Sequence, residues 1–413
     1  MPEGKKLVII GGSSLNTPWF FTAMAEHNLK LGQIYLVGRN KQKLETVGNY
    51  CHSLSKKLKL SAEVSWTTKL DEALTGTHYI LNQLRAGGTQ GQVTDRKNLA
   101  LSGITGHAAG YVEAIHNLPP ILDAVKTMEE KKSSAIFINF TNPVSIICEA
   151  IAMNSSINFI GICHHTLSLN EKFAQLLQSS PEETCIDYFG INHLGWISDV
   201  KINGKSQMQK AVNIIKKHKI KEFNYQYAGE FGTIPTHQAY CLYRKGESVY
   251  IRGKGIRGSV EDVKFKYLTH QIHTVRLKKQ RAKILEEYRK GNLEHTVTRK
   301  PSVTYYQDII VPFLKSLDSE GKKFIATTRQ KENPYLTAET TVKINRENIK
   351  ADPVPENYPK FALEMLDLVK ASEKMFIQAI IEKSYEKAVE AMFLHPNVLS
   401  LKHAEKLLSK YFN

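Results

Sequence analysis

The residues best suited to chemistry in this sequence stand at the ends of three short apolar runs. Cys163, His164 and His165 follow one run, and Asn82 and Asn139 stand at the ends of two others. Continuous apolar runs of this length are typical of buried parallel strands. The carboxyl ends of such strands form the ligand-binding edge of an open α/β sheet. The sequence therefore predicts a ligand site at this edge, built from thiol, imidazole and amide groups.

A turn of small residues adds a second feature to the same edge. The apolar run Leu7–Ile10 is followed by Gly11, Gly12, Ser13 and Ser14, and then by an apolar helical pattern. A strand, a glycine turn and a helix in this order form a cradle for dinucleotide phosphates, because backbone amides and the helix dipole favour anionic charge. The string lacks the G-x-G-x-x-G spacing, and an ordinary tight turn would look similar.

The end of the second predicted strand bears on the type of dinucleotide. The strand Gln33–Val37 leads into Gly38, Arg39 and Asn40, where NAD-binding domains usually carry an acidic residue that binds the ribose hydroxyls. Here that acid is absent, and Arg39 would suit a 2′-phosphate. A solvated basic turn is an equally good interpretation. The sequence thus favours a nicotinamide dinucleotide and leaves NAD and NADP open.

The length and the order of elements predict two domains. A chain of 413 residues is too long for one ordinary core. Residues 1–188 alternate strands and helices, as in a Rossmann-like, doubly wound parallel sheet. Residues 189–413 become irregular and then mainly helical, which indicates an α+β domain for substrate, metal and assembly. The predicted fold class is α/β, similar to the lactate and malate dehydrogenases.

Composition narrows the partners and the compartment. The formal charge of +16 favours anionic partners. However, the basic residues are scattered and form no recognisable nucleic-acid module, so we expect no nucleic-acid partner. The longest apolar stretch, 135–153, is broken by polar residues and Pro143, so we expect no membrane span. Five cysteines without a C-x-x-C pair predict free thiols in a reducing, cytoplasmic compartment.

Taken together, several short motifs resemble family 4 of the glycoside hydrolases, the NAD- and divalent-metal-dependent glycosidases. The motifs occur in consistent order along nearly the whole chain, which is far more specific than any one of them. They are Gly11–Pro18, Asn82–Gly88, Asn139–Pro143, Gly161–Cys163, Gly190–Trp196 and Leu394–Leu408. The chain resembles a divergent member of this family.

This resemblance implies the ligands of the site. Cys163 and His193 would bind a divalent metal, usually manganese, with substrate hydroxyls completing the shell. A thiolate and an imidazole suit a transition ion, and two protein ligands leave positions open. Asn82 and Arg85 would lie at the cofactor, and Arg85 and Asn142 at the substrate. Homodimers or homotetramers are the assemblies that the resemblance implies.

The resemblance also implies a reaction without net redox change. The cofactor takes a hydride from C3 of the sugar, a base removes the C2 proton, and an acid assists departure at C1. Water then adds and the hydride returns. For the base we favour Tyr243 over Tyr240, which stand in a Tyr-x-x-Tyr element. For the acid we expect His164, because a histidine near its ordinary pKa donates protons at neutral pH.

Three departures from the family pattern leave other functions open. A loop that lines the active site is replaced by Gly106–Gly110, an expected arginine is Gln92, and a later arginine–glycine–glycine element reads Arg299-Lys-Pro301. They allow a changed substrate or a catalytically altered sensor of sugar and cofactor. A 2-hydroxy-acid dehydrogenase is a further alternative, although its substrate loop and Asp–His pair are not evident. The leading prediction is a glycosidase for a small glycoside, with or without a 6-phosphate.

Overall fold

The computed structural model describes residues 4–102, 104, 106–236, 238–243, 278–299, 304–317, 323–331, 335–344 and 349–412, without the side chains of residues 89, 100, 101, 240 and 241. Two features singled out in the sequence lie outside these residues. They are the side chain of Tyr240 and the Lys300-Pro301 pair.

The first half of the sheet is parallel. Its strands are β1 (Lys6–Ile10), β2 (Gln33–Val37), β3 (Glu63–Thr67), β4 (Tyr79–Asn82), β5 (Ile136–Asn139) and β6 (Phe159–Gly161). They lie in the order β3-β2-β1-β4-β5-β6, and all neighbouring pairs are parallel. This is the strand order of the dinucleotide-binding fold, in which the winding reverses between β1 and β4. The predicted Rossmann-like sheet is confirmed.

Helices cover both faces of this half. They are α1 (Thr17–Glu26), α2 (Lys41–Lys57), α3 (Leu70–Ala73), α4 (Gly88–Ser102), α5 (Gly110–Glu130), α6 (Val144–Asn154), α7 (His164–Leu167) and α8 (Leu169–Leu177), with a 3₁₀ turn at Gly106–Ala109. Because both faces are covered, β1 is buried at every position. Helix α6 is buried from Val144 to Ala152, as expected of a helix that is apolar nearly all round.

The second half continues the same sheet in antiparallel fashion. Its strands are β7 (Thr184–Ile191), β8 (Leu194–Ile202), β9 (Lys205–Ser206), β10 (Ile234–Pro235), β11 (Lys323–Arg329), β12 (Thr337–Ile344) and β13 (Ile349–Ala351). Beyond β6 the order is β11-β12-β7-β8-β10, and Thr327 of β11 pairs with Gly161 of β6. The predicted division between residues 188 and 189 falls within β7. The two halves therefore share one sheet.

The remaining helices lie around the antiparallel half and at the carboxyl end of the chain. They are α9 (Met208–Lys217), α10 (Ala239–Tyr243), α11 (helical at 278–289), α12 (Glu294–Val297), α13 (Val311–Ser316), α14 (Lys360–Glu382), α15 (Tyr385–Leu394) and α16 (Leu401–Leu408). Helices α14 and α15 are separated at Ser384, whose side chain caps α15 by accepting from the N–H of Lys387. None of the described helices is both long and apolar enough to cross a membrane.

A buried group of charges joins α6, from the first half, to α14, from the second. The ammonium of Lys370 lies 2.5 Å from Glu149 and 3.0 Å from Glu373. It also contacts the hydroxyl of Thr337, which donates to Glu149. Burial lowers the pKa of Lys370, but Glu373 and Glu149 outweigh this effect, so the net shift is upward. The lysine is therefore charged in the core.

Replacing Lys370 with methionine tests how far the fold depends on this charge. The Lys370→Met variant leaves Glu149 and Glu373 buried without their cation, which we expect to cost about 3–5 kcal/mol in the free energy of unfolding. Lys374→Met is the control, because Lys374 lies 3.8 Å from Glu149 but its side chain is 46% exposed. We expect the control to lose about 1 kcal/mol or less in urea unfolding. Equal losses in both variants would contradict a special role for Lys370.

Candidate active site

The turn after β1 is held in place by hydrogen bonds within the protein, without a ligand. The N–H groups of Gly11 and Gly12 both donate to the carbonyl oxygen of Val37 at 2.9 Å. Gly11 has a φ of 85°, which residues with a side chain adopt only with strain. A Cβ on Gly11 would also lie 3.0 Å from the carbonyl oxygen of Gln83. The glycine is thus required by the turn and by the close approach of the β4 loop.

Ser13 and Ser14 complete this turn at the beginning of α1. The N–H of Ser14 donates to the carbonyl oxygen of Gly11 at 3.0 Å, and its hydroxyl accepts from the N–H of Asn16 at 3.2 Å. Both serines are half-buried. The turn therefore places small polar residues where the dipole of α1 favours a phosphate.

Two asparagines connect the ends of β4 and β5. The side-chain amide of Asn82 donates to the side-chain oxygen of Asn139 at 2.8 Å, and both residues are fully buried. The side-chain oxygen of Asn82 also accepts from the N–H of Leu84 at 3.3 Å. Asn139 in turn bonds the backbone of Thr141. Asn82 thus positions the loops that follow both strands, and its contact with a cofactor stays a prediction.

Arg85 and Asn142 lie on these loops and are both exposed at the carboxyl edge. A terminal nitrogen of Arg85 lies 2.9 Å from Glu113. With the amide of Gln92 turned so that its oxygen faces Arg85, that oxygen accepts from both terminal nitrogens, at 3.1 and 3.0 Å. The carbonyl oxygen of Asn142 accepts from Asn117 at 2.9 Å. Gln92, where an arginine was expected, therefore orients Arg85 rather than adding a second cation.

Cys163 and His193 face each other across the join between the two halves of the sheet. The Sγ of Cys163 lies 2.6 Å from the Nε2 of His193. Cys163 precedes α7 and accepts from the N–H of His165 at 3.4 Å. His193 occupies the turn between β7 and β8 with a φ of 65°. The structure thus brings together the two predicted metal ligands, which are 30 residues apart in sequence.

Cys163 and His193 are both uncharged in the structure, so a cation that binds between them would replace the proton of the thiol. Burial raises the pKa of the Cys163 thiol to about 12. Burial lowers the pKa of His193, although Glu339 acts in the opposite direction, so its imidazole is neutral. Across the described ranges no third His, Cys, Asp or Glu joins them in a metal-binding group. A divalent ion here would have one soft thiolate, one imidazole and open positions for substrate.

Glu339 lies behind this pair and was not anticipated from the sequence. Its carboxylate accepts from the hydroxyl of Thr166 at 3.0 Å and from the hydroxyl of Tyr188 at 2.7 Å. Burial raises the pKa of Glu339, while the bonds from Tyr188 and Thr166 and the proximity of His193 oppose the shift. In the sequence, Glu339 stands out as a single acid among the small and β-branched residues of β12. Because buried carboxylates are rare without partners, such an acid indicates a polar site.

His164 lies next to the pair on α7, and its side chain is exposed. Burial of part of the ring and the charge of Lys172 lower its pKa, whereas Asp308 and Glu222 act to raise it. A protonated His164 is therefore a stronger acid than a free histidine. This position and this acidity are compatible with the predicted proton donor.

Tyr243 belongs to an aromatic cluster beside β8. Its hydroxyl oxygen accepts from the indole N–H of Trp196 at 2.8 Å, and its ring stacks on Tyr227 with centroids 5.2 Å apart. Burial raises the pKa of Tyr243, and the bond from Trp196 opposes this. The chain between β10 and α10 lies near Cys163 and His193, the two predicted metal ligands. The N–H of Gln238 donates to the carbonyl oxygen of His193 at 3.3 Å. The side chain of Tyr240 is outside the described residues.

Gln238 itself is a second residue that the sequence did not single out. Its side-chain oxygen is buried and has no hydrogen-bond partner within the part of the chain that the structure describes. Buried acceptors are normally paired, so an unpaired one beside His193 is suited to a donor from a ligand. No motif marks this glutamine, and only the fold reveals its position.

The replaced loop Gly106–Gly110 forms a 3₁₀ turn that leads into α5, and His107 within it is buried. Its Nδ1 lies 3.2 Å from the Nε2 of His395, and its Nε2 lies 3.2 Å from the hydroxyl of Ser145. Glu373 is 3.4 Å from the same Nε2. The loop therefore extends the buried charge group of Lys370, and its histidine serves packing between α5, α6 and α14.

Known proteins resemble this chain in sequence along nearly its whole length. A model described as family 4 glycosyl hydrolase matches residues 6–179, and one for the C-terminal domain of that family matches residues 188–398. A 6-phospho-beta-glucosidase of Escherichia coli is 29% identical over 231 residues, which are 54% of this chain and 51% of that protein. Phospho-alpha-glucosidase PagL of Clostridium acetobutylicum is 23% identical over 97% of this chain and 96% of its own.

A solved structure shares the whole fold. The 6-phospho-beta-glucosidase of Thermotoga maritima, determined with manganese, NAD+ and glucose-6-phosphate, superposes with a TM-score of 0.78 at 21% identity. The similarity covers 98% of this chain and 97% of that one. At this identity the likeness shows the fold. The fold and the family predicted from the sequence are both confirmed.

The burial of His107 predicts a stability that depends on pH. Burial lowers the pKa of His107 to about 4, partly opposed by Glu373, whereas an unfolded histidine has a pKa near 6.5. Below pH 6.5 the unfolded chain therefore binds a proton that the folded chain does not. The free energy of unfolding should fall as the pH drops from 6.5 to 4, by up to about 1.4 kcal/mol per pH unit.

The measurement compares urea unfolding across that pH range in three proteins. His107→Gln should show a shallower pH dependence than the wild type, because the titrating group is gone. His218→Gln removes an exposed histidine and should keep the wild-type slope. A slope that is unchanged in His107→Gln would contradict a neutral, buried His107.

Proposed function

The chain belongs to family 4 of the glycosyl hydrolases, and on this premise we propose that it hydrolyses a small 6-phosphorylated glycoside with a nicotinamide dinucleotide and a divalent cation, Mn²⁺ being preferred. The observation that carries the proposal is the approach of Cys163 Sγ to His193 Nε2, 2.6 Å apart, at the carboxyl edge of a dinucleotide-type sheet. A thiol and a neutral imidazole in this position are suited to a catalytic ion more than to a structural one, because they leave coordination positions for substrate.

The chain's own residues divide the work of binding. Cys163 and His193 would hold the cation, and the turn from Gly11 to Ser14 would receive the dinucleotide phosphates. When bound, the cation polarises an oxygen of the sugar and the nicotinamide accepts and returns a hydride. Glu339 accepts from the side chains of Thr166 and Tyr188, and so connects α7, which follows Cys163, to β7, which precedes His193.

The substrate would lie between the metal pair and the loops after β4 and β5. Arg85 offers an exposed cation that Glu113 and Gln92 hold in one orientation. Asn142 is exposed on the neighbouring loop, and the buried oxygen of Gln238 is an acceptor for a sugar hydroxyl. The phosphate on the sugar is supported by relatives named as 6-phospho-glucosidases and by the glucose-6-phosphate in the Thermotoga maritima structure.

Two proton transfers are assigned to side chains of this chain. His164 would donate to the departing group at C1; its lowered pKa makes the protonated ring a stronger acid and the protonated fraction at neutral pH smaller. Tyr243 would remove the proton at C2, with Tyr240 as the alternative. The indole N–H of Trp196 stabilises the phenolate of Tyr243, because it donates to the phenolic oxygen. We further propose a cytoplasmic homodimer or homotetramer, with no nucleic-acid or membrane partner.

The loss of the thiolate gives the first test of this function. Cys163→Ala should abolish hydrolysis of nitrophenyl glycoside 6-phosphates in the presence of NAD or NADP, Mn²⁺ and a reducing agent. It should also abolish the thiolate-to-cobalt absorption that Co²⁺ produces when it occupies such a site. Cys185→Ala is the control, because that half-buried thiol lies on β7 away from His193 and should change neither readout.

Three other outcomes would point elsewhere. Turnover of a 2-oxo acid with stoichiometric oxidation of the cofactor would indicate a dehydrogenase. Tight dinucleotide binding without turnover of any sugar would indicate a sensor. Hydrolysis that persists in the Cys163→Ala variant and after chelation would refute the metal-dependent mechanism.

The role of Tyr243 is tested at the C2 position of the sugar. Tyr243→Phe should lower hydrolysis about 100-fold or more, and should lower exchange of the C2 proton with D₂O equally, because the base is lost. Its control is Tyr227→Phe, which keeps the ring that stacks on Tyr243. If exchange survives in Tyr243→Phe and disappears in Tyr240→Phe, the base is Tyr240.

A further inference from the structure

The connection between β2 and α2 is positively charged where a dinucleotide fold receives the adenosine ribose. Gly38, Arg39 and Asn40 stand at the carboxyl end of β2, the position from which NAD-binding domains bind the ribose hydroxyls with an acid. Arg39 is exposed there. The side chain of Asn40 accepts from the N–H of Lys43 at 2.9 Å, so it caps α2. The first turn of α2 contains no acidic residue.

The packing of this connection also leaves little room for a carboxylate. A Cβ built on Gly38 would lie 3.0 Å from the hydroxyl oxygen of Ser13 and 3.1 Å from its Cβ. A larger residue directly after β2 would therefore push against the turn after β1. Glu72, in the first turn of the adjoining helix α3, accepts from Thr67 at 2.5 Å and lies 3.7 Å from Lys69. That carboxylate is already bonded.

A second helix brings another cation to the same place. Lys43 and Tyr50 lie seven residues apart on α2, and Arg281 and Tyr288 lie seven residues apart on α11, so each pair shares a helix face. The rings of Tyr50 and Tyr288 are 4.1 Å apart. Lys57 at the end of α2 forms a salt bridge with Glu294, which follows α11, so the two helices run in the same direction and Lys43 lies towards Arg281. The hydroxyl of Tyr288 donates to the carbonyl oxygen of Leu15 at 2.7 Å, which fixes α11 to the cradle.

The two cations are close enough to affect each other. Burial lowers the pKa of Lys43, and the positive charge of Arg281 adds to that shift. Among the residues that the structure describes, no carboxylate forms a salt bridge with Lys43 or with Arg39. Like charges held together in this way are stabilised by an anion that binds between them. Within the described residues the end of β2 therefore carries no ribose-binding acid, and its cations can bind an added negative charge.

We propose that Arg39, Lys43 and Arg281 form a binding site for the 2′-phosphate of a nicotinamide dinucleotide, so that the chain prefers NADP to NAD. The inference rests on the proposed dinucleotide-dependent function and concerns the adenosine end of the same cradle. Arg39 donates from the open side, as a guanidinium does to a phosphate. Lys43 and Arg281 close the other side from α2 and α11.

Direct titration of the full chain with NADPH and NADH, followed by nicotinamide fluorescence, tests this site without any turnover. The wild type should bind NADPH at least about tenfold more tightly than NADH, since a charge-assisted hydrogen bond contributes about that factor or more. Arg39→Ala should weaken NADPH about tenfold and leave NADH within about twofold. Lys43→Ala should weaken NADPH in the same direction.

The matched control is Lys30→Ala, which removes one exposed positive charge at the amino end of β2. It should leave the ratio of the two affinities unchanged. In a parallel competition, 2′,5′-ADP should displace NADPH more strongly than 5′-AMP does, and Arg39→Ala should remove the difference. Unchanged thermal unfolding of the exposed Arg39→Ala variant shows that a loss of NADPH binding is local.

The outcomes separate this inference from the proposed function. Equal or tighter binding of NADH by the wild type overturns the 2′-phosphate site and leaves the glycosidase assignment intact. If neither dinucleotide binds, with or without Mn²⁺, the proposed function itself fails. An NADPH preference that survives Arg39→Ala and Lys43→Ala also overturns the site, because it places the discrimination elsewhere.

Discussion

The ion pairs of Lys370 hold the two halves of the molecule in the one arrangement that completes the site. Cys163 follows the last parallel strand, whereas His193 belongs to the antiparallel half, so their separation depends on how the halves meet. Lys370 bonds Glu149 on α6 and lies against Thr337 on β12. A shift of either half would leave a buried charge unpaired, which costs several kcal/mol. The positions of Cys163 and His193 thus depend in part on charges that lie outside the site.

The charge of the side chains differs between the two ends of the sheet's carboxyl edge. Near β2 the side chains are cationic: Arg39 and Lys43 lie at the beginning of α2, and Arg281 lies on the neighbouring helix α11. Near β6 and β7 the buried carboxylate of Glu339 lies beside a neutral thiol and a neutral imidazole. An edge with this distribution favours phosphate at one end and a divalent cation at the other. A dinucleotide extends along this edge across the switch point between β1 and β4, with its adenosine ribose at the cationic end near β2.

Sequence reasoning predicts the parts of this protein that repeat a local pattern. The buried strands β1, β2, β4, β5 and β6 read as continuous apolar runs, so their existence was predictable. Strand β3 was missed, because Glu63–Thr67 mixes charged and polar residues and is only partly buried. The break before α15 leaves a local signal, because helical periodicity is interrupted near Ser384. The continuity of the sheet through β7 leaves none, since pairing between distant strands does not show in a local pattern.

The same distinction applies to the site. Cys163 and His193 were found because two motifs single them out, and the fold then placed them in contact. Glu339, Gln238 and Arg281 lie in no motif, and they reach the site only through the packing of β12, of the chain before α10 and of α11. Asn82 has a role that its motif did not indicate. The motif points to a ligand, which stays a prediction, and the structure shows that the side-chain amide bonds Asn139.

The residues that depart from the family pattern form hydrogen bonds with their neighbours. These bonds help to decide whether the chain remains an enzyme. Gln92 accepts from Arg85, where an arginine would have repelled it. His107 packs on His395 and bonds Ser145, so the replaced loop is anchored in the core. A site losing its function has no need to orient its remaining arginine or to rebuild the support beneath it. Such paired changes are those of a reshaped substrate pocket beside the predicted metal ligands Cys163 and His193, and they favour altered specificity over a silent sensor.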